Sequence, residues 1–213
     1  MTLSHETLWC LSDDRESRRL WIFSKNNVFL YPRKTIENRI YEQSTAIENV
    51  SVSFDGLKTI SVKIREYGQD YLWCDSEARA RCYFMDSNGY IFSESADFFK
   101  NVLFTYYGLA DGNKPIGQTY LPEAEFAELN KFIDSAKLLK LVPIGLIARA
   151  EGDFELLLTS GGSILFSNRE PFLTTFENLE TIIAEQTRLE KEFLKRLDYI
   201  DVRFTSKAFV KLR

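Results

Sequence analysis

The sequence predicts an α+β fold with mainly antiparallel strands, arranged as two modules. Short runs in which apolar and polar residues alternate are typical of half-buried strands, and here they come in hairpin-like pairs. Segments with apolar residues three and four positions apart, typical of amphipathic helices, separate these pairs. Aromatic residues make up 14% of the chain, and such residues are enriched in strands. Strands and helices that follow one another in groups favour the α+β class.

The first module is predicted to span residues 1–67. Residues 3–24 carry spaced apolar positions around a polar middle and are predicted to be helical. Pro32 suits a first helical turn and is followed by a short amphipathic helix to about Gln43. The runs 50–54 and 60–64 alternate around an Asp-Gly pair, which predicts a β-hairpin with one buried face.

The second module is predicted to span residues 68–213, and it begins with strands at 71–75, 82–86 and 90–93. The last two strands are joined by the turn sequence "DSNG". Residues 95–120 contain three glycines and are predicted to form a long loop. Pro122 then opens a helix whose apolar residues recur every three or four positions.

The remaining elements follow the same rules. A strand is predicted at 141–149, followed by two strands around Gly161 and Gly162. Thr174 and Glu177 have the spacing of a capping box, which predicts a long helix that continues to Leu197. The chain closes with a hairpin in "YIDVRFTSKAFVKL".

Composition excludes several classes of function. The net charge is −4 and the isoelectric point is about 5.3, so nucleic acid and anionic membrane surfaces are not expected as main partners. No apolar run reaches the roughly 18 to 20 residues that a membrane span needs. The N-terminal sequence lacks the features of a signal peptide, and by itself this points to the cytoplasm.

The motifs of common enzymes are absent from the sequence. It has no Gly-x-Ser-x-Gly, His-Glu-x-x-His or Cys-x-x-Cys motif, and His5 is its single histidine. The glycine pair in "TSGGS" (159–163) lacks the lysine and the helix that a phosphate-binding loop requires. We therefore expect no catalytic residues and no cofactor.

The cysteines leave two interpretations open. Cys74 and Cys82 supply only two of the four donors of a structural zinc site, so no metal site is expected. If their strands are antiparallel neighbours, the two Cα atoms lie roughly 4.5 to 5.5 Å apart, within disulfide range. Such a disulfide would stabilise the fold by about 2.5 kcal/mol. Two reduced, buried thiols are the alternative. If Cys74 and Cys82 pair, Cys10 is either free or paired with a cysteine of another molecule.

Ordered motifs resemble a known family. "NNVFLYPRKTIENRIYEQSTAIENVSVSFDGLKTISVKIREYG" is similar to the second half of a POTRA (polypeptide-transport-associated) domain. "CYFMDSNGYIFSE", "LLLTSGGSILF" and "YIDVRFTSKAFVKL" resemble, in order, the strands that follow POTRA in the FtsQ/DivIB cell-division proteins. The resemblance covers residues from about 26 to 213. One departure is "REYG", which keeps only Glu66 of the family's Glu-Arg-x-Pro.

The resemblance implies the location of the protein. The family's transmembrane anchor and first POTRA strand have no counterpart in this sequence, so residues 1–67 are expected to be a POTRA-like module without its first strand, followed by an FtsQ-type β domain. The full-length protein would then cross the cell membrane once and expose both domains on its extracytoplasmic face. In that compartment the Cys74–Cys82 disulfide is the favoured state of the two thiols.

The resemblance also implies a function and a site. FtsQ-like proteins are non-enzymatic scaffolds of the divisome that recruit FtsL- and FtsB/DivIC-like partners for septum formation. A partner segment adds to the edge of the C-terminal strand. The matching partner-binding positions are Tyr199, Asp201, Arg203, Phe204, Ala208, Phe209, Val210 and Leu212.

Two other functions remain as alternatives. One is a POTRA-type module of a secretion or outer-membrane assembly system. The other is a cytoplasmic α+β ligand-binding domain or enzyme.

Overall fold

A computed structural model describes residues 32–55, 59–78, 81–96, 102–149, 152–204 and 207–213. Its first part is a helix, α1 (Arg33–Tyr41), followed by the antiparallel strands β1 (Ile47–Asp55) and β2 (Thr59–Glu66). Pro32 precedes the first helical residue, where its missing N–H costs no hydrogen bond. The predicted helix at 3–24, His5, Cys10 and the turn at 56–58 lie outside the described residues.

The second part is a nine-stranded sheet with helices. The strands that precede the first long helix are β3 (Tyr71–Cys74), β4 (Cys82–Met85), β5 (Ile91–Glu94) and β6 (Thr105–Tyr107). The elements that follow are α2 (Glu123–Ala136), β7 (Pro143–Ala148), β8 (Asp153–Leu158), β9 (Ser163–Ser167), α3 (Phe172–Leu189), α4 (Phe193–Arg196), β10 (Leu197–Phe204) and β11 (Lys207–Leu212).

The order of the strands across the sheet is β11-β10-β9-β8-β7-β6-β3-β4-β5. Neighbours joined by short turns are antiparallel, whereas the pairs β3–β6, β6–β7 and β9–β10 are parallel. A parallel pair needs a crossover connection, and α2 and α3 provide it for β6–β7 and β9–β10. The α+β fold with a mainly antiparallel sheet is therefore confirmed, with three parallel pairs inside it.

The main core lies between the two long helices and one face of the sheet. From α2 it includes Phe126, Leu129 and Phe132, and from α3 it includes Leu179 and Ile183. These side chains pack against the inward-facing residues of the strands, so the apolar stripe predicted for each helix faces the sheet.

A smaller cluster joins the two parts of the chain. The ring of Tyr67, which follows β2, lies 4.7 Å from the ring of Tyr90 and 5.3 Å from that of Phe92. Leu72 and Phe84 belong to the same cluster and are buried. The segment between β2 and β3 is thus packed against the edge region of the large sheet.

Three local predictions are wrong. Residues 95–120 contain β6, a central strand whose three residues are all buried, so "TYY" has no alternation to reveal it. Pro171 precedes α3 and Thr174 lies inside the helix, so the Thr174–Glu177 capping box does not form. The predicted long helix also ends at Leu189, because Glu190 is extended, and Leu197 begins β10.

The predicted buried face of the first hairpin is only half correct. Val50 and Val52 on β1 are buried, while their partners Ile64 and Val62 on β2 are 52% and 42% exposed.

Within the described ranges, every helix is too short or too polar to cross a bilayer.

Candidate partner-binding edge

The C-terminal strand β11 forms one edge of the large sheet. It pairs with β10 in antiparallel register, with Ile200 opposite Val210 and Asp201 opposite Phe209. No described strand pairs with the outer side of β11. An edge strand presents unpaired backbone N–H and C=O groups, which makes it a template for pairing with another chain.

The end of β11 is held in place by Arg213. Its backbone N–H donates to the Arg196 carbonyl at 2.8 Å. Its guanidinium donates to the carbonyl oxygens of Leu197 at 2.9 Å and Ser160 at 2.6 Å. These bonds tie the chain end to β10 and to the β8–β9 turn, so contacts within the chain hold the edge strand in place.

Apolar side chains are exposed along the hairpin that β10 and β11 form. Phe204 and Phe209 are each 51% exposed, and their rings meet edge to face at 5.8 Å between centroids. Val210 is 36% exposed, and Ala208 is exposed as well. Leu212 differs from these residues because it is partly buried and packs against the main core.

A shallow groove of about 260 Å³ lies between α3 and the hairpin. It is lined by Asn178, Thr181, Ile182, Val202, Phe204, Lys207 and Ala208. Phe204 and Ala208 line this groove and also belong to the strip of exposed apolar side chains on the hairpin (Phe204, Ala208, Phe209 and Val210). A side chain at this end of the edge can therefore contact both the groove and the strip.

Two of the predicted residues are engaged in internal ion pairs. The guanidinium of Arg203 binds both carboxylate oxygens of Asp201, at 2.9 and 2.7 Å. Its third nitrogen, Nη1, donates to Asp153 Oδ2 at 3.0 Å. Asp153 lies on β8, so this network connects β10 to β8 across the intervening strand β9.

Asp153 is the member of this network that sequence reasoning missed. It follows Gly152 at the start of a strand, and nothing in its local sequence marks it as a partner of a residue 50 positions away. Arg169, in the loop after β9, also pairs with it at 3.1 Å. Asp201 and Arg203 thus fix the position of the hairpin through β8.

Tyr199 is half-buried at the other end of β10. The ammonium of Lys211 lies 5.8 Å from the centre of its ring and also pairs with Asp198 at 2.8 Å. A contact of Tyr199 with a partner would therefore involve Lys211 as well.

The Asp201–Arg203 pair predicts a dependence of stability on pH. Burial raises the pKa of Asp201, but the hydrogen bonds from the Arg203 side chain and backbone, and its charge, lower the pKa below the ordinary 3.8. The stabilisation is thus present above about pH 4 and is lost as the pH falls through the lowered pKa. Asp201→Asn should cost about 1.5 to 3 kcal/mol of unfolding free energy at pH 7.

Urea unfolding of the unmodified protein and of Asp201→Asn between pH 2 and pH 7 measures the contribution of the Asp201 carboxylate. The difference between their free energies of unfolding should shrink below about pH 4. Asp134→Asn is the control, because it removes only an exposed ion pair with Lys137, and exposed pairs contribute little to the free energy of unfolding. A difference that stays constant down to pH 2 would contradict the role assigned to the Asp201 carboxylate.

Cys74 and Cys82 lie far from this edge. They are opposite each other in the β3–β4 ladder and are joined by a disulfide, with 4.2 Å between their Cα atoms. Both are buried and pack with Tyr107 and Ile147. Six strand spacings separate β3 from β11, roughly 29 Å, so the disulfide does not contribute to the edge.

The described part of the chain holds no cluster of three or more histidine, cysteine or acidic side chains placed to bind a metal. No protein-family model matches the chain, and no curated protein matches its sequence.

Proposed function

We propose that this protein is a non-enzymatic, extracytoplasmic scaffold of the FtsQ/DivIB type. It binds an extended segment of an FtsL- or FtsB/DivIC-like division protein at the outer side of β11. The bound segment becomes a tenth strand of the sheet. The observation that carries this proposal is the open β11 edge with its exposed strip of apolar side chains.

Strand addition fits this edge for two physical reasons. Backbone groups on the outer side of β11 can pair with any extended chain, and this pairing supplies affinity without demanding a particular sequence. Side chains at alternate positions supply specificity. Here Phe204 and Phe209 offer apolar contacts, and the groove beside α3 can accept one partner side chain.

The charges on the hairpin indicate the composition of the partner. Lys207 is exposed on β11, whereas the charge of Lys211 is already paired with Asp198, so a complementary segment would combine apolar residues with an acidic residue beside Lys207. The internal ion pairs of Asp201 and Arg203 keep the hairpin in position. In this proposal these two residues act mainly by positioning the edge.

The sequence resemblance supports the proposed class of partner. The motif "YIDVRF", which in this family precedes the partner-binding strand, forms β10 here, and β11 follows it. The order of the three resembling motifs along the chain supports the same family. The cell-membrane location and the role in septum formation belong to this proposal and rest on that resemblance.

Phe204→Ala and Phe209→Ala are each expected to weaken partner binding at least about tenfold, because central aromatic residues dominate interface affinity. The measurement is biolayer interferometry of the chain with the extracytoplasmic segment of the FtsB/DivIC-like protein from the same organism. Both side chains are about half exposed, so the variants should fold normally.

Leu138→Ala is the matched control, since Leu138 is 79% exposed and lies outside the β10–β11 hairpin. Its affinity should equal that of the unmodified chain. If the unmodified chain does not bind, the partner assignment is wrong. If it binds and neither phenylalanine variant changes the affinity, the site lies elsewhere.

A further inference from the structure

In the β1–β2 hairpin, the edge of β1 that faces away from β2 is already occupied by α1. The N–H of Val50 donates to the hydroxyl of Tyr41 at 2.9 Å, and the N–H of Val52 donates to Glu37 Oε1 at 3.2 Å. Both acceptors belong to α1. The helix therefore satisfies these two outward backbone donors of β1 and covers that part of the edge against a further strand.

These two bonds also reveal the orientation of the backbone of β2. In an antiparallel ladder, opposite residues are either bonded to each other or both point away from each other. Val50 is opposite Ile64 and Val52 is opposite Val62. Because the N–H groups of Val50 and Val52 point away from β2, the N–H and C=O groups of Val62 and Ile64 point away from β1, along the outer side of β2.

This outer side is open within the described part of the chain. No described strand pairs with it, and Val62 and Ile64 are 42% and 52% exposed. By contrast, the outer side of β5 is partly covered, because Ile91 exchanges backbone hydrogen bonds with Gly117 and Gln118 at 2.8 and 2.9 Å.

We propose that the outer side of β2 binds β2 of a second copy of this protein. The two copies pair as antiparallel strands around a twofold axis and form a continuous four-stranded sheet. This proposal is independent of the function proposed above, since it concerns a different sheet and a different strand.

The residues of β2 are complementary to themselves in one register. With Val62 opposite Val62 of the other copy, each Ile60 lies opposite an Ile64, and all the outward backbone groups of these residues can pair. Cross-strand pairs of β-branched residues are favourable in sheets. A one-residue shift of the axis would place Lys63 opposite Lys63, and directly opposed like charges are destabilising.

The opposite face of β2 is compatible with the same register. Lys63 then lies opposite Ser61, and Arg65 lies opposite Thr59, so no like charges are directly opposed. Arg65 is also paired with Glu48 of its own hairpin at 2.7 Å. Since one added strand pair buries little surface, the association is expected to be weak and concentration-dependent.

A cysteine cross-link tests the register. In the background Cys10→Ser, Val62→Cys is expected to form a disulfide between copies, because Cα atoms in a bonded antiparallel pair lie about 5.5 Å apart, within disulfide range. Ile64→Cys is the matched control on the same face. Its counterpart in the other copy lies four residues along the strand, roughly 13 Å away, which is too far for a disulfide.

After mild oxidation at high protein concentration, non-reducing electrophoresis should show at least about tenfold more cross-linked dimer for Val62→Cys than for Ile64→Cys. Equal amounts for the two variants would overturn the proposed register. Circular dichroism establishes that both variants are folded.

Sedimentation of the unmodified chain is the second test. We expect reversible dimer formation at high concentration that Val62→Lys abolishes, because that variant places two lysines opposite each other. Added salt should not weaken the dimer, whereas an acidic partner segment bound beside Lys63 would be released by salt. A chain that stays monomeric at about 1 mM, a concentration at which even weak pairing is visible, would overturn the proposal.

Discussion

Replacing Phe126 with alanine is expected to lower the free energy of unfolding by about 3 to 5 kcal/mol, the usual cost of deleting a buried phenylalanine ring. Phe126 is fully buried, and its ring lies 5.3 Å from that of Tyr106 and 5.9 Å from that of Tyr71. It also underlies the β4–β5 turn, where a Cβ added to Gly89 would lie 3.1 Å from the ring. The truncation would leave a cavity between α2 and the sheet.

Denaturant unfolding measures this loss, and thermal unfolding should shift downward by roughly 2 to 4 °C for each kcal/mol. Leu138→Ala is the control, because that side chain is 79% exposed and should change stability by less than about 0.5 kcal/mol. A loss below about 1 kcal/mol for Phe126→Ala would mean that α2 does not pack on the sheet as described.

Removal of the Cys74–Cys82 disulfide is expected to cost about 2.5 kcal/mol, because the closed loop spans only eight positions. The double variant Cys74→Ala, Cys82→Ala avoids burying a hydroxyl or a single unpaired thiol. Its unfolding midpoint should fall relative to that of the oxidised protein, and adding reductant should leave the midpoint of the variant unchanged.

Unfolding of the unmodified protein at increasing concentrations of reductant provides the control. The unmodified protein should approach the stability of the double variant once the disulfide is reduced. Because both cysteines are buried, reduction should be slow in the folded state and fast after unfolding. Equal midpoints for the oxidised protein and the double variant would show that the disulfide contributes nothing to stability.

The elements that the sequence predicted well are those with local signals. The β4–β5 hairpin follows from "DSNG", in which Asp86 accepts hydrogen bonds from the backbone of Asn88 and Tyr90. Helix α2 follows from its apolar spacing and from Pro122. Strand β6 lacked such a signal, because three consecutive buried residues show neither alternation nor helical spacing.

The candidate edge was predicted only in part. The alternation in residues 199–212 predicted a closing hairpin, and the family resemblance pointed to its last strand as the edge. That β10 lies parallel to β9, and that Asp153 reaches Arg203 across β9, depends on the α3 crossover. Residues far apart in the chain meet only because the sheet brings them together.

By itself, the sequence determined the class of the fold, most of its strands and its two long helices, since each depends on hydrogen bonds and apolar periodicity within a few residues. Apart from the family resemblance, which pointed to the last strand, only the tertiary structure decided which strands became edges. The exposure of Val62 and Phe209 depends on which neighbours the chain places beside them, and strand order is a property of long-range pairing. Alternation predicts a buried face for a strand, but it does not predict what covers that face.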